Sequence, residues 1–251
     1  MSINFFKIVI LSIFFTLPYM PLPVWKFLVC APLNIFMLFL FFKNYRDFKF
    51  SFKDLAKFFS GFFVFFFSCL LLINYSIDYK HFLPHKGFTL FFVIITPFFQ
   101  SLQEEIYLRS IQRSLWANKS LFILKPFLLA AVMAFLHYAI YAFGYEANPL
   151  NPLALTTLFM FFFGTAYLYE KTQNWILPYG IHAGWNMCRF GFFVIGDKDN
   201  YLESASFNSL EGHPLTAAFA TSMVLVVFLA VCFYSKRGCI KNSVIHFKKS
   251  L

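Results

Sequence analysis

The sequence predicts an all-α fold: a polytopic transmembrane helical bundle of about eight spans, seven if the first is not a true span, with both termini in the cytoplasm. Three observations carry that expectation. Of the 251 residues, 60% are hydrophobic, 23% aromatic and only 13% charged, and the mean hydropathy is +0.67, a composition suited to lipid rather than water. Apolar runs approaching the ~20 residues a helix needs to cross the hydrocarbon core recur along the whole chain. The basic residues fall between alternate runs. Residues 1–251 therefore read as a single integral-membrane domain with no separate soluble module.

In chain order the spans are expected near residues 4–20, 26–42, 58–75, 88–108, 122–144, 153–169, 175–195 and 215–234. The first follows Lys7 and resembles a secretory signal, but Pro18, Pro21 and Pro23 follow it with no small-x-small cleavage site, so an uncleaved span is expected. Lys43, Arg46, Lys49, Lys53 and Lys57 separate the second span from the third, and Arg109, Arg113, Lys119 and Lys125 cluster around the turn after the fourth. With the N-terminus inside, the cytoplasmic segments hold sixteen basic residues and the external ones four, Lys26, Lys80, Lys86 and Lys198. The external loop after the seventh span carries Asp197, Asp199, Glu203 and Glu211, which agrees with that orientation.

The formal net charge of +10 is accounted for by this distribution, so no nucleic-acid partner is expected. The basic loops and tail are expected to meet anionic lipid. The 41 phenylalanines read as lipid-facing bulk rather than as a binding surface. The five cysteines, Cys30, Cys69, Cys188, Cys232 and Cys239, form neither a CxxC motif nor an even-numbered framework. Cys188 lies two residues after Asn186 and so points to another helix face, as a buried inert thiol. No internal repeat, Gly-rich phosphate loop, GxSxG elbow or HExxH sequence is present.

Against this apolar background a few polar residues stand out. Glu104 and Glu105 end the apolar run from Phe88 to Gln100, and Arg109 follows one turn later. A charge at the centre of a bilayer costs about 2.5–3.5 kcal/mol on insertion scales, which makes such residues candidates for function. At 100° per residue, Glu105 and Arg109 share a face at i,i+4 and form the expected ion pair, which leaves Glu104 to face the bundle interior. The alternative is that both acids have reached the cytoplasmic headgroups. His182 and Asn186 are also spaced i,i+4 and share one face of the seventh span. His137 lies near the middle of the fifth, where an imidazole without a partner would be costly.

Glu104-Glu105-Ile-Tyr-Leu-Arg109 reads as EExxxR and His182-Ala-Gly-Trp-Asn186 as HxxxN, with His137 between them in order. This set resembles the CAAX-processing and bacteriocin-immunity (CPBP) family of intramembrane proteases, also described as type II CAAX endopeptidases or lysostaphin-resistance-protein-A-like proteins. The resemblance spans roughly residues 88–195, which would form the catalytic core. One departure is visible: the family's second motif is FxxxH, and Met133 holds the Phe position before His137.

The resemblance implies a CAAX-type intramembrane endopeptidase in which Glu104, His137, His182 and Asn186 are catalytic and Glu105 and Arg109 are supporting. Glu104 would act as general base on a water, the histidines would position that water or donate protons, and Asn186 would bind the oxyanion. No cofactor is expected; the alternative is zinc held by Glu104, His137 and His182, a three-ligand set with an open fourth position. The expected substrate is a membrane-anchored or lipidated peptide or protein, and the expected location a bacterial inner membrane, crossed several times. Two readings from other classes compete. A proton-coupled transporter would use the same buried acids and imidazoles, although inverted repeats are absent. A non-catalytic immunity or scaffold protein would work without Glu104.

Overall fold

The structure is a computed structural model and describes residues 51–76, 88–115, 123–140, 150–188 and 212–229. The spans expected at 4–20 and 26–42 and the basic C-terminal tail lie outside the described residues. The described part is all-helical, with no strand among the described residues. The helices are α1 (Phe52–Ser76), α2 (Phe88–Leu115), α3 (Leu124–Ile140), α4 (Pro152–Thr172), α5 (Ile176–Asn186) and α6 (Pro214–Leu229). Each overlaps one of the spans expected from residue 58 onward. The chief differences in extent are that α1 begins six residues earlier than expected and α2 runs seven residues further.

Among the described residues two stretches, Phe52–Leu72 of α1 and Pro152–Thr172, are long and apolar enough to cross a membrane. Helix α2 is longer still, but its interior carries Glu104, Glu105 and Arg109. On α1, Phe59, Phe63 and Phe67 point outward and stack in a ladder with ring centroids 5.9 and 6.2 Å apart. With Val64 and Leu71 also exposed, this outward apolar surface suits acyl chains.

Local chemistry sets the helix ends around the core. Asn151 caps α4 by accepting from the Ala154 amide, and Pro152 takes the first-turn position, where no amide proton is needed. The helix stops at Gln173, which adopts a left-handed conformation (φ 51°) and donates its amide to Tyr169 O. Asn174 then starts α5, its side-chain oxygen accepting from the amides of Ile176 and Leu177. The same side chain donates to Asp54 Oδ1 at 3.1 Å. Asp54 in turn accepts from the amide and hydroxyl of Ser51, so one cluster fixes the starts of both α1 and α5.

Helices α1 and α5 run side by side in the same direction, since Gly180 meets the backbone of Phe58 and Gly184, one turn on, that of Phe62. A Cβ at either glycine would fall 2.2 Å from the facing carbonyl oxygen. Only glycine permits so close an approach, the small-xxx-small device of membrane helices. On the other side, Ile106, Tyr107, Leu108 and Ile111 of α2 pack with Leu129, Ala130 and Met133 of α3 and Ala154, Leu158 and Phe162 of α4. Helix α6 closes the remaining gap through Phe219, whose ring meets Phe65 at 5.9 Å and Trp185 at 6.3 Å.

Candidate active site

Helix α2 runs antiparallel to α5, because Glu105 contacts His182 while Ser101, one turn earlier, contacts Asn186, one turn later. Glu104 and Glu105 are at most 1% exposed and Arg109 is 1% exposed, so all three are enclosed by the bundle rather than presented on its outer surface. Their side chains diverge as a 100° rotation requires. Glu105 Oε2 accepts from both Nε (2.9 Å) and Nη2 (2.6 Å) of Arg109, the pairing expected from the i,i+4 spacing. Its other oxygen, Oε1, lies 3.2 Å from His182 Nδ1. One carboxylate therefore holds the guanidinium and orients the imidazole together.

Glu104 faces the other way. Its Oε1 accepts from Gln100 Nε2 at 3.2 Å, and its Oε2 lies 3.4 Å from His182 Nε2. The second contact is electrostatic rather than an aligned hydrogen bond. His182 thus stands between the two acids, one on each ring nitrogen. The sequence reading paired Glu105 with Arg109 alone and missed this bridge, because nothing in the spacing relates residue 105 to a helix 77 positions later.

His137 Nδ1 donates to Met133 O at 2.9 Å, which makes Nε2 the basic nitrogen of the neutral ring. The partner is a backbone carbonyl, available whatever side chain occupies position 133. The Met133 side chain itself is fully buried in the apolar core. The departure from FxxxH therefore leaves the imidazole's anchor intact. Asn186 Nδ2 donates to Ser101 Oγ at 3.0 Å; an amide carries two such protons, so one remains for another acceptor.

These side chains border one cavity of about 80 Å³, room for several waters. Gln100, Glu104, His137, His182 and Asn186 supply its polar edge; Phe65, Phe161, Phe162, Leu168, Phe219, Met223 and Val224 form much of the rest. The Phe162 ring lies between the two imidazoles, 5.3 Å from His137 and 5.9 Å from His182. Arg109 and Glu105 stand behind the cavity wall. Gln100, Ser101 and Phe162 belong to the site and were not anticipated. Gln100 was legible in principle, as a polar residue four positions before Glu104, whereas Ser101 and Phe162 carry no sequence signal. Cys188 is buried and is not among the residues lining the cavity.

Among the described residues, no three His, Cys, Asp or Glu side chains converge closely enough to hold a metal ion. Glu104, His137 and His182 as arranged here do not form a fitted zinc site.

Residues 86–188 match the family model for type II CAAX prenyl endopeptidase Rce1-like proteins. No curated protein and no solved structure matches the chain. The matched region includes Glu104, Glu105, Arg109, His137, His182 and Asn186, on three of the described helices. Over these residues the chain is similar to the Rce1-like type II CAAX endopeptidases, a family of membrane-embedded peptidases.

Proposed function

We propose that the chain is an intramembrane endopeptidase that hydrolyses a peptide bond of a membrane-anchored or lipidated substrate with a water activated by Glu104 and the two histidines. One observation carries the reading: Glu104, His137, His182 and Asn186, from three separate helices, border a single buried cavity, with Glu104 and His182 in contact. Glu104 takes a proton from the water as its oxygen attacks the scissile carbonyl carbon. The carbonyl oxygen becomes an oxyanion, towards which Asn186 directs its second amide proton. The intermediate collapses with cleavage of the C–N bond, and the leaving amine receives a proton from the Glu104–His182 pair. Glu105 and Arg109 hold His182 in orientation.

A mostly apolar cavity between α4, α5 and α6 favours a substrate that arrives from lipid. The chain is taken to cross a bacterial inner membrane several times with both termini in the cytoplasm, its basic loops against anionic lipid. The test is cleavage of membrane-anchored peptides by purified protein in nanodiscs. Glu104→Gln and His182→Ala should abolish cleavage, with folding retained. Normal cleavage by a folded Glu104→Gln protein would overturn the mechanism. Full activity after exhaustive chelation, with no metal found by elemental analysis, would exclude the zinc alternative; loss that zinc restores would establish it.

A further inference from the structure

Behind the cavity the buried polar groups continue where no motif reaches. Arg109 Nη1, the guanidinium nitrogen turned away from Glu105, donates to Gln112 Oε1 at 2.9 Å. Gln112 Nε2 donates onward to Ala166 O at 2.9 Å and to Glu170 Oε2 at 3.2 Å. The other oxygen of Glu170 lies 3.6 Å from Lys125 Nζ. Gln112 is 1% exposed and Lys125 4%, and the Tyr169 ring lies 5.3 Å from the Arg109 guanidinium carbon. Lys125, which charge patterning places in a cytoplasmic segment, is buried within the bundle.

The amide of Gln112 has only one workable orientation. Flipped, it would turn donors toward the guanidinium and its acceptor toward both the Ala166 carbonyl and the Glu170 carboxylate. It is thus a fixed joint between α4 and Arg109. Arg109 in turn is bound through two nitrogens to the Glu105 carboxylate that contacts His182 Nδ1.

We propose that Gln112, held by Glu170, is a positioning residue for the peptidase reaction, setting the orientation of His182 through Arg109 and Glu105. This rests on the catalytic reading above. Gln112 is not among the residues lining the cavity, so its loss should move the catalytic step and not substrate binding. A displacement of about 1 Å at the reacting groups lowers a rate roughly 100-fold, and a loosened rather than severed line gives about 10-fold.

The experiment measures kcat, KM and the pH–rate profile of the full chain in nanodiscs, with thermal unfolding as the check on folding. Gln112→Met keeps the length of the side chain and removes both polar ends. It is expected to lower kcat about 10-fold or more, leave KM within about twofold and displace the pH profile, since the partner of His182 has loosened. Gln112→Glu keeps the acceptor for Arg109 but turns a second acceptor toward both Ala166 O and Glu170. It should be impaired alone, and combining it with Glu170→Gln, which restores a donor–acceptor match at the Glu170 contact though not at Ala166 O, should recover part of the lost activity.

Wild-type kcat and pH profile in a folded Gln112→Met protein would overturn the proposal, as would a defect confined to KM or to stability. If Gln112→Met fails to fold, the exchange pair decides, and a double variant no more active than Gln112→Glu alone overturns it. Glu104→Gln in parallel separates the two levels. An active Glu104→Gln protein refutes the catalytic reading, whereas an inactive one beside unaffected Gln112 variants refutes this inference alone.

Discussion

The two sides of α5 are held by opposite kinds of chemistry. Toward α1 the seam is closed by the absence of side chains: Gly180 and Gly184 lie against the carbonyls of Phe58 and Phe62, and contact energy comes from backbone proximity and surrounding aromatic rings. Toward α2 the seam is made of charge, in the Arg109–Glu105–His182 line and the Glu104 contact. The dry seam has one way to fit and so fixes where α5 sits along α1. The charged seam costs desolvation and is retained where chemistry needs a carboxylate and an imidazole at fixed angles.

Breaking the charged seam from one side should have the largest effect. Arg109→Met leaves the Glu105 carboxylate buried without its guanidinium, at an expected cost of about 3–5 kcal/mol. Unfolding in mixed micelles would measure this. The comparison sharpens with the double variant Glu105→Gln/Arg109→Met, which removes both charges. It is expected to be more stable than Arg109→Met alone while remaining impaired in cleavage. Equal or greater destabilisation in the double variant would mean that the pair contributes net stability rather than orientation.

Filling the dry seam comes next. Gly184→Ala puts a methyl where the Phe62 carbonyl oxygen stands, and overpacking of this kind costs about 1–3 kcal/mol. Because α1 must withdraw for α5 to remain, the melting temperature should fall with activity. A smaller loss is expected for Asn174→Ala, which removes the cap of α5 and its tie to Asp54. About 1 kcal/mol is typical of a lost cap, with fraying at the start of α5 visible as faster amide exchange from Ile176 onward.

The smallest effect on stability should come from Gly164→Ala on the cavity wall. A Cβ there meets only Val224 Cγ2, at 3.2 Å, and the gain in helix propensity, up to about 1 kcal/mol, offsets the crowding. Its signature should be in KM, raised for substrates with bulky apolar groups and little changed for small ones. A uniform change in kcat would argue that α4 and α6 do not form the substrate wall.

Much of this was legible from residues alone, for identifiable reasons. Hydropathy set the positions of the helices because lipid leaves the backbone no partner outside its own segment. The Glu105–Arg109 pair followed from i,i+4 spacing within one helix, and the divergence of Glu104 from the 100° step between neighbours. The order of EExxxR, His137 and HxxxN pointed to the family now matched over residues 86–188. Each of these is a relation along the chain within one element, or a pattern of composition.

What tertiary structure alone decided are relations between elements. That His182 bridges both acids, that Ser101 holds Asn186, that Phe162 lies between two imidazoles and that Gln112 joins Arg109 to Glu170 all depend on helix crossing and rotation, which residue spacing does not encode. Lys125 is the plainest case. By charge patterning it belongs to the basic cluster around the turn after the fourth span, yet it is buried beside Glu170, because the first turn of α3 packs against the last turn of α4 and a charge there is less costly paired than alone. The sequence by itself determined which residues had to be removed from lipid; the packing of the helices determined which of them meet.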